Sequence, residues 1–294
     1  MSEKELVDLA VIGGSGFYDF AGLDDLEDHF LDTPFGRPSS AIRVGWLGQS
    51  RVAFLARHGV GHRLLPSEIP QQANIWALKS LGAKRIIGVS AVGGLQENCS
   101  PGTAVVPDQL IDRTHGQRPA TFFGSGLVGH VAMAEPFCPA LRAATVVATA
   151  ATGEAAINGG PYVVIEGPAF GTRAESHLYR SWGASIVGMT ALPEAQLARE
   201  AELCYTLLTT VTDYDSWHPT EAGVDAATVF RVLKANVARA QAVVARLASM
   251  LPDQSACGCS TALDAALVTL VEAIPEDART RLAPILARRV EAAR

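Results

Sequence analysis

Charged side chains are scarce in this chain: they make up 18% of 294 residues, against about 25% in an ordinary soluble domain. With hydrophobic residues at 48%, that scarcity excludes a disordered polymer and implies a strongly buried globular protein. A basic excess is also missing. The formal net charge of -6 gives no bulk attraction for nucleic acid, so a small anionic ligand needs local cationic groups. No uncharged apolar run reaches membrane-spanning length, and Met1-Ser2-Glu3-Lys4-Glu5 lacks the basic and apolar regions of a signal peptide. The expectation is a cytoplasmic protein with no membrane partner. Cysteine is sparse too, and the spacing of Cys99, Cys138, Cys204, Cys257 and Cys259 makes neither a disulfide framework nor a zinc site. Cys138 and Cys204 read as small core residues in apolar surroundings. Cys257-Gly258-Cys259 admits two readings: a small, strained, reducible ring, or two reduced thiols. Repeats and low-complexity tracts are absent.

What is present alternates between strand and helix patterns. Residues 8–12 form a short apolar strand, and 41–46 with 51–56 read as a hairpin. Residues 67–81 have helical spacing with Ser67 as cap. Strands follow at 85–89 and 163–166, and helices at 141–152, 172–182 and 193–202. Residues 203–210 form a buried strand, 224–250 one long amphipathic helix, and 262–294 one or two more. Only 153–160 and 252–260 resemble linkers. This order predicts a single-domain α/β fold, a mixed central sheet flanked by helices. Its main body spans residues 1–250, with 251–294 as a helical C-terminal extension of the same domain.

Chemistry-bearing residues gather where these strands end. Val211-Thr212-Asp213-Tyr214-Asp215 closes the 203–210 strand. Carboxylates two residues apart share one side of a continuing strand, offering paired acceptors or a proton donor if one pKa is raised. They equally suit capping of the next turn. Gly13-Gly14-Ser15-Gly16 follows the first strand. It suits a phosphate loop or a tight turn alike, and it lacks the third glycine of a dinucleotide fingerprint. Arg57 and His58, after the 51–56 strand, offer a planar fork and a second donor for phosphate. His58 and His62 have metal-ligand spacing, but Gly59 and Gly61 argue against the helix it needs. Ser90, after 85–89, and Thr190, after Val187-Gly188-Met189, add hydroxyls, with Met189 a soft apolar wall. Thr190 also suits the N-cap of the following helix.

Taken together, these segments resemble the purine nucleoside phosphorylase superfamily, and within it the trimeric 5'-methylthioadenosine phosphorylases. The resemblance rests on Val11-Ile12-Gly13-Gly14-Ser15-Gly16, Asp32-Thr33-Pro34-Phe35-Gly36, Ala56-Arg57-His58-Gly59 and Gln72-Ala73-Asn74-Ile75-Trp76. It continues through Asp108-Gln109-Leu110-Ile111-Asp112-Arg113-Thr114, Met133-Ala134-Glu135-Pro136-Phe137-Cys138, Ile165-Glu166-Gly167-Pro168 and Thr212-Asp213-Tyr214-Asp215. These segments stand in family order over roughly residues 8 to 250. The resemblance implies phosphorolysis, in which phosphate attacks the ribose anomeric carbon and displaces adenine. It implies no metal or organic cofactor, phosphate being a co-substrate, and a homotrimer with shared active sites. By position, Ser15, Arg57, His58, Ser90, Thr190 and the Ala91 backbone would hold phosphate. Met189 would contact the ribose and Phe170 the base or sugar. Asp213 would face adenine N7 with a raised pKa, and Asp215 would support the amine. Val229 and Phe230, with Ala226 nearby, would line a methylthio pocket, while also serving as the core face of their helix. His130 would reach across the trimer interface towards the 5' group.

Base choice follows from two positions. Relatives that cleave 6-oxopurine nucleosides carry Asn where Asp213 stands and Glu where Gly171 stands, so inosine and guanosine would lack their partners here. The chain departs from the family at Ala169, commonly arginine, at Gly171, commonly serine or threonine, and at Phe230, usually leucine. Those departures keep 5'-deoxyadenosine, 5'-halogenated adenosines and a broader purine specificity open. Outside the class, a nicotinamide-dependent oxidoreductase leaves the Asp213 pair unexplained. A non-catalytic nucleoside binder leaves Arg57, His58 and Ser90 without a role.

Overall fold

A computed structural model of the chain describes residues 6–14, 17, 22–219 and 226–292, and of residues 226–236 the backbone alone. Strands and helices alternate as β1 (Leu9–Gly13), β2 (Asp24–His29), β3 (Ile42–Leu47), β4 (Ser50–Ala56), α1 (Gln71–Ser80), β5 (Arg85–Gly94), β6 (Ala104–Val106), β7 (Gln109–Arg113), α2 (Pro139–Ala150), β8 (Ala156–Asn158), β9 (Pro161–Ile165), α3 (Arg173–Ser181), β10 (Ile186–Gly188), α4 (Ala191–Glu200), β11 (Cys204–Asp213), α5 (Ala226–Ala248), α6 (Glu276–Arg281) and α7 (Ala283–Ala292). The strands build one mixed sheet in the order β2-β3-β4-β1-β5-β10-β9-β7, with β11, β6 and β8 branching from β5.

β1 reads as an unbroken apolar run because helices cover both faces of the sheet. Its alternate residues divide between two cores: Ala10 and Ile12 pack in one, Leu9 and Val11 in the other. α1 and α4 cover the first face, where α7 also meets α1; α2 and α5 cover the second. The edge strand β2, Asp-Asp-Leu-Glu-Asp-His, lies almost wholly exposed. It shows no hydrophobic period from which a strand could be read, and its acids discourage further strand pairing.

Several expected boundaries move. Ser67 does not cap α1, because 66–68 is a separate 3-10 turn and the helix begins after Pro70, which has no N–H to continue the earlier turn. The 153–160 stretch contains β8, parallel to β6. The 252–260 stretch is held by the buried Arg85 side chain, whose Nη2 donates to the Pro252 carbonyl at 2.6 Å. Residues beyond 250 enter the first core through Leu263, Ala266, Leu282, Ile285 and Leu286. Among the described residues no helix is long and apolar enough to cross a membrane.

β5 positions the site. On one side it pairs with parallel β1 at first, and then with antiparallel β10 at Gly93 and Gly94; on the other it runs parallel to β11. The C-terminal ends of β1, β4, β5 and β11 therefore point the same way, where α/β sheets gather their ligands. β10 returns toward that end, so Gly188-Met189-Thr190 comes back alongside Ser90.

Candidate functional site

A cavity of about 300 Å³ opens at this end of the sheet. Gly14, Arg57, His58, Ser90, Ala91, Phe170, Met189, Thr190, Asp213 and Asp215 all line it. Sequence positions nearly 200 residues apart thus meet in one pocket. Ser15 lies outside the described residues, and so do the side chains of Ala226, Val229 and Phe230 on α5. His130 is exposed and is not among the lining residues.

One wall is built from hydrogen-bond donors. Arg57 is 1% exposed and its guanidinium grips Glu194 of α4 bidentately, Nε to Oε2 at 2.8 Å and Nη2 to Oε1 at 2.9 Å. Its Nη1 donates to the Val89 carbonyl at 2.9 Å, and a second N–H on that nitrogen remains for a ligand. Burial by itself would lower the Arg57 pKa, but the Glu194 charge and hydrogen bonds outweigh it and raise the pKa. A methyl group on Gly14 would stand 3.0 Å from Nη1, so the first loop approaches the guanidinium closely only as glycine. β10 starts antiparallel on β5 with Val187 beside Gly93, and the chain then brings the Thr190 hydroxyl to 3.3 Å from that of Ser90. Thr190 does precede α4, yet its side chain makes no capping bond, which leaves the hydroxyl to the pocket.

His58 differs from the expected second donor. Its Nδ1–H donates to the Leu64 carbonyl at 2.8 Å, and burial lowers its pKa to about 4. The ring is therefore neutral at pH 7, with Nε2 a lone-pair acceptor. His62 stacks on it at a 4.3 Å centroid separation, in a turn rather than a helix.

The opposite wall holds the acids. β11 follows β5 residue for residue until Thr212, where the register slips and Asp213 comes opposite Gly93. Such a bulge re-aims the side chain that follows it. The strand ends there. Asp215 sits in a 3-10 turn with a left-handed φ of 50°, so a bulge and a turn, not a continuing strand, bring both carboxylates to the pocket. The capping role of Asp213 is also real: its Oδ1 accepts the Asp215 N–H at 2.8 Å. Its Oδ2 accepts the Thr212 hydroxyl at 2.7 Å. Burial raises the Asp213 pKa against these two bonds. Asp215 is raised by burial too, against a hydrogen bond from Ser176 and with help from the Asp213 charge.

Several contributing residues carry no sequence signal. Glu194 aims Arg57 and also accepts the Tyr205 hydroxyl at 2.7 Å; its place after Pro193 suggested only a helix start. Ser176 on α3 reaches Asp215 from 39 residues away. Arg118 braces the β9 and β10 ends, donating to the Met189 carbonyl at 2.6 Å and to Glu166 Oε1 at 2.8 Å. The 62–66 turn adds a wall through His62, Arg63, Leu64, Leu65 and Pro66.

Anion donors face paired acids whose pKa values burial raises across one small cavity, an arrangement able to take a phosphate-sized anion beside a heterocycle bearing N–H groups or basic nitrogens. Comparison with known proteins identifies the family. The family model described as Phosphorylase superfamily matches residues 8–249. The chain is 51% identical over 280 residues to the S-methyl-5'-thioadenosine phosphorylase of Chloroflexus aurantiacus, covering 95% of this chain and 97% of that protein. It is 46% identical over 274 residues to the enzyme of the same name from Geobacter sulfurreducens, covering 93% and 96%. A methylthioadenosine phosphorylase crystal structure sourced from an antarctic soil metagenomic library superposes with a TM-score of 0.88 at 48% identity, covering 96% of this chain and 99% of that one. The Schistosoma mansoni methylthioadenosine phosphorylase in complex with adenine gives 0.83 at 34% identity, covering 92% and 99%. This chain belongs to the phosphorylase superfamily.

Proposed function

We propose that this chain catalyses phosphorolysis of 5'-methylthioadenosine to adenine and 5-methylthioribose 1-phosphate. The observation that carries the reading is the pairing, in one pocket, of the Arg57, Ser90 and Thr190 donors with the Asp213 and Asp215 acids. The shared name of relatives about half identical over nearly their whole length supports it.

In this reading phosphate lies against Arg57 Nη1, the Ser90 and Thr190 hydroxyls and the Ala91 backbone. Neutral His58 accepts the remaining P–O–H through Nε2. Fixed donors position the nucleophile and hold its charge beside the cation that develops at the anomeric carbon. A phosphate oxygen bonds to that carbon as the C1'–N9 bond breaks, and the electron pair leaves with adenine. A proton at N7 makes adenine a better leaving group, and Asp213 is placed to supply it. The Thr212 hydroxyl has one proton and two acceptors, Asp213 Oδ2 at 2.7 Å and the Val92 carbonyl at 3.2 Å. Turning it to Val92 frees Oδ2 to carry a proton of its own, which burial already favours. Asp215 accepts from the exocyclic amine. Met189 contacts the ribose, and Phe170 covers base or sugar. The steps involve no electron transfer or Lewis acid, so phosphate serves as co-substrate and no cofactor takes part.

His130 is read as serving a neighbouring subunit of a homotrimer, consistent with its exposure away from this chain's pocket. Its backbone N–H donates to Ala266, and a Val268 N–H bond to Val128 at 2.9 Å gathers the exposed Val128 and Val268 beside it. An apolar patch of this kind suits an interface between copies. Residues 251–294 are read as an extension of the same domain. In the test, methylthioadenosine and phosphate should yield adenine and the sugar phosphate in equal amounts. Adenine release without phosphate, giving free sugar, would overturn the reading.

A further inference from the structure

At the end of β11 remote from the pocket, four cysteines far apart in sequence converge. Cys138 caps α2, Cys204 opens β11, and Cys257 and Cys259 stand in the turns after α5. Their four Sγ atoms all lie within 4.8 Å of one another, Cys204 and Cys257 at 3.4 Å. The spacing 138, 204, 257, 259 resembles no zinc motif; it is the fold that brings the four side chains together.

We propose that Cys138, Cys204, Cys257 and Cys259 form a tetrathiolate site for a zinc-class divalent metal ion, clamping the segment after α5 to the sheet. A tetrahedral ion with metal–sulfur bonds of about 2.3 Å has sulfur–sulfur edges of about 3.8 Å, which four atoms so gathered reach with small shifts. Disulfides would instead draw them together in pairs at about 2.05 Å, and all four are free thiols here. The surroundings are those of a closed structural site. Cys138, Cys204 and Cys259 are buried among Leu141, Leu208 and Leu247, and half-buried Cys257 offers access.

Outer donors are also in place. The Leu141 N–H reaches Cys138 Sγ at 3.5 Å, and Arg199 Nη1 lies 3.7 Å from Cys259 Sγ, offsetting the negative charge of four thiolates around a divalent ion. Binding forms four metal–sulfur bonds and releases the thiol protons to solvent, with no change of oxidation state. Zinc and ferrous iron share this chemistry, and composition tells them apart.

The test uses the full chain, purified under a non-thiol reductant into metal-free buffer, with elemental analysis followed by added Co²⁺. One zinc or one iron per chain, and intense thiolate-to-cobalt bands in the chain filled with Co²⁺, are expected. Cys257→Ser should weaken metal retention about 10- to 100-fold and lower Tm, with phosphorolysis in the cold unchanged. If that variant fails to fold, the cobalt spectrum of the unaltered chain decides. A reduced chain that holds neither zinc nor iron and gives no cobalt bands would overturn the site. So would a chain purified metal-free in parallel without reductant whose mass is short of four hydrogens, the mark of two disulfides.

Discussion

The two ends of β11 were shaped by opposite demands. At Asp213 the strand breaks its register, turns through a left-handed residue and leaves carboxylates facing a cavity. At Cys204, roughly 30 Å away along an extended strand, the chain is regular and thiols are packed among leucines. The pocket end draws its polar groups from strand ends that the parallel sheet must bring together. The cysteine end draws them from a helix cap, a strand start and a turn, which meet only because α2 and α5 pack on the same face. The first end holds side chains ready to exchange partners; the second binds segments to one another.

The comparison can be broken most severely at Asp213. Asp213→Asn keeps the shape but removes the proton that burial favours, and kcat/KM for methylthioadenosine should fall 10²- to 10⁴-fold with Tm little changed. An unchanged rate would remove Asp213 from the chemistry. Next in size is Glu194→Ala, which leaves the guanidinium of Arg57 buried without its partner. A loss of about 3–5 kcal/mol in denaturant unfolding is expected, together with a raised KM for phosphate. Ser176→Ala should cost about 1–3 kcal/mol by leaving Asp215 short of a donor, with weaker adenine binding as its second readout.

How much of this was legible in the sequence depended on chain locality. Arg57, His58, Ser90 and Thr190 announce themselves because each comes directly after an apolar run; β4 and β5 run parallel to β1, and β10 meets β5 antiparallel. Glu194 and Ser176 do not: an acid in the first turn of a helix and a serine inside one have ordinary local explanations, and only α3 and α4 packing gives them partners. The bulge at Thr212 was equally hidden, so the paired acids were expected on a continuing strand that in fact stops. The acidic edge strand β2 showed no period because neither of its faces is buried. The cysteine cluster was hidden because no local spacing joins Cys138 and Cys204 to the Cys257–Cys259 pair.

pH separates the two walls of the pocket. Asp213 and Asp215 have folded pKa values raised by burial. Their contribution to stability is complete below the ordinary aspartate value of about 3.9 and is lost as pH rises through the raised values. In the proposed mechanism the proton on Asp213 is lost over the same rise, so kcat/KM should fall up to tenfold per pH unit on the alkaline side. His58 behaves oppositely. Its lowered pKa stabilises the fold above the unfolded value of about 6.5, a contribution lost as pH falls towards about 4. In a Tm series across that interval, His58→Asn should flatten the acid decline. A parallel curve would show that His58 is not the group responsible. The smallest effect belongs to the scaffold: Thr172→Ala removes the capping box that begins α3 and should cost about 0.5–2 kcal/mol, with little change in rate.

The most direct test of the account compares kcat/KM for methylthioadenosine and inosine at saturating phosphate. Asp215 accepts from an exocyclic amine that a 6-oxopurine lacks, and Gly171 offers no acceptor for its N1–H, so methylthioadenosine should be preferred by several orders of magnitude. Equal values, or faster cleavage of inosine, would contradict it.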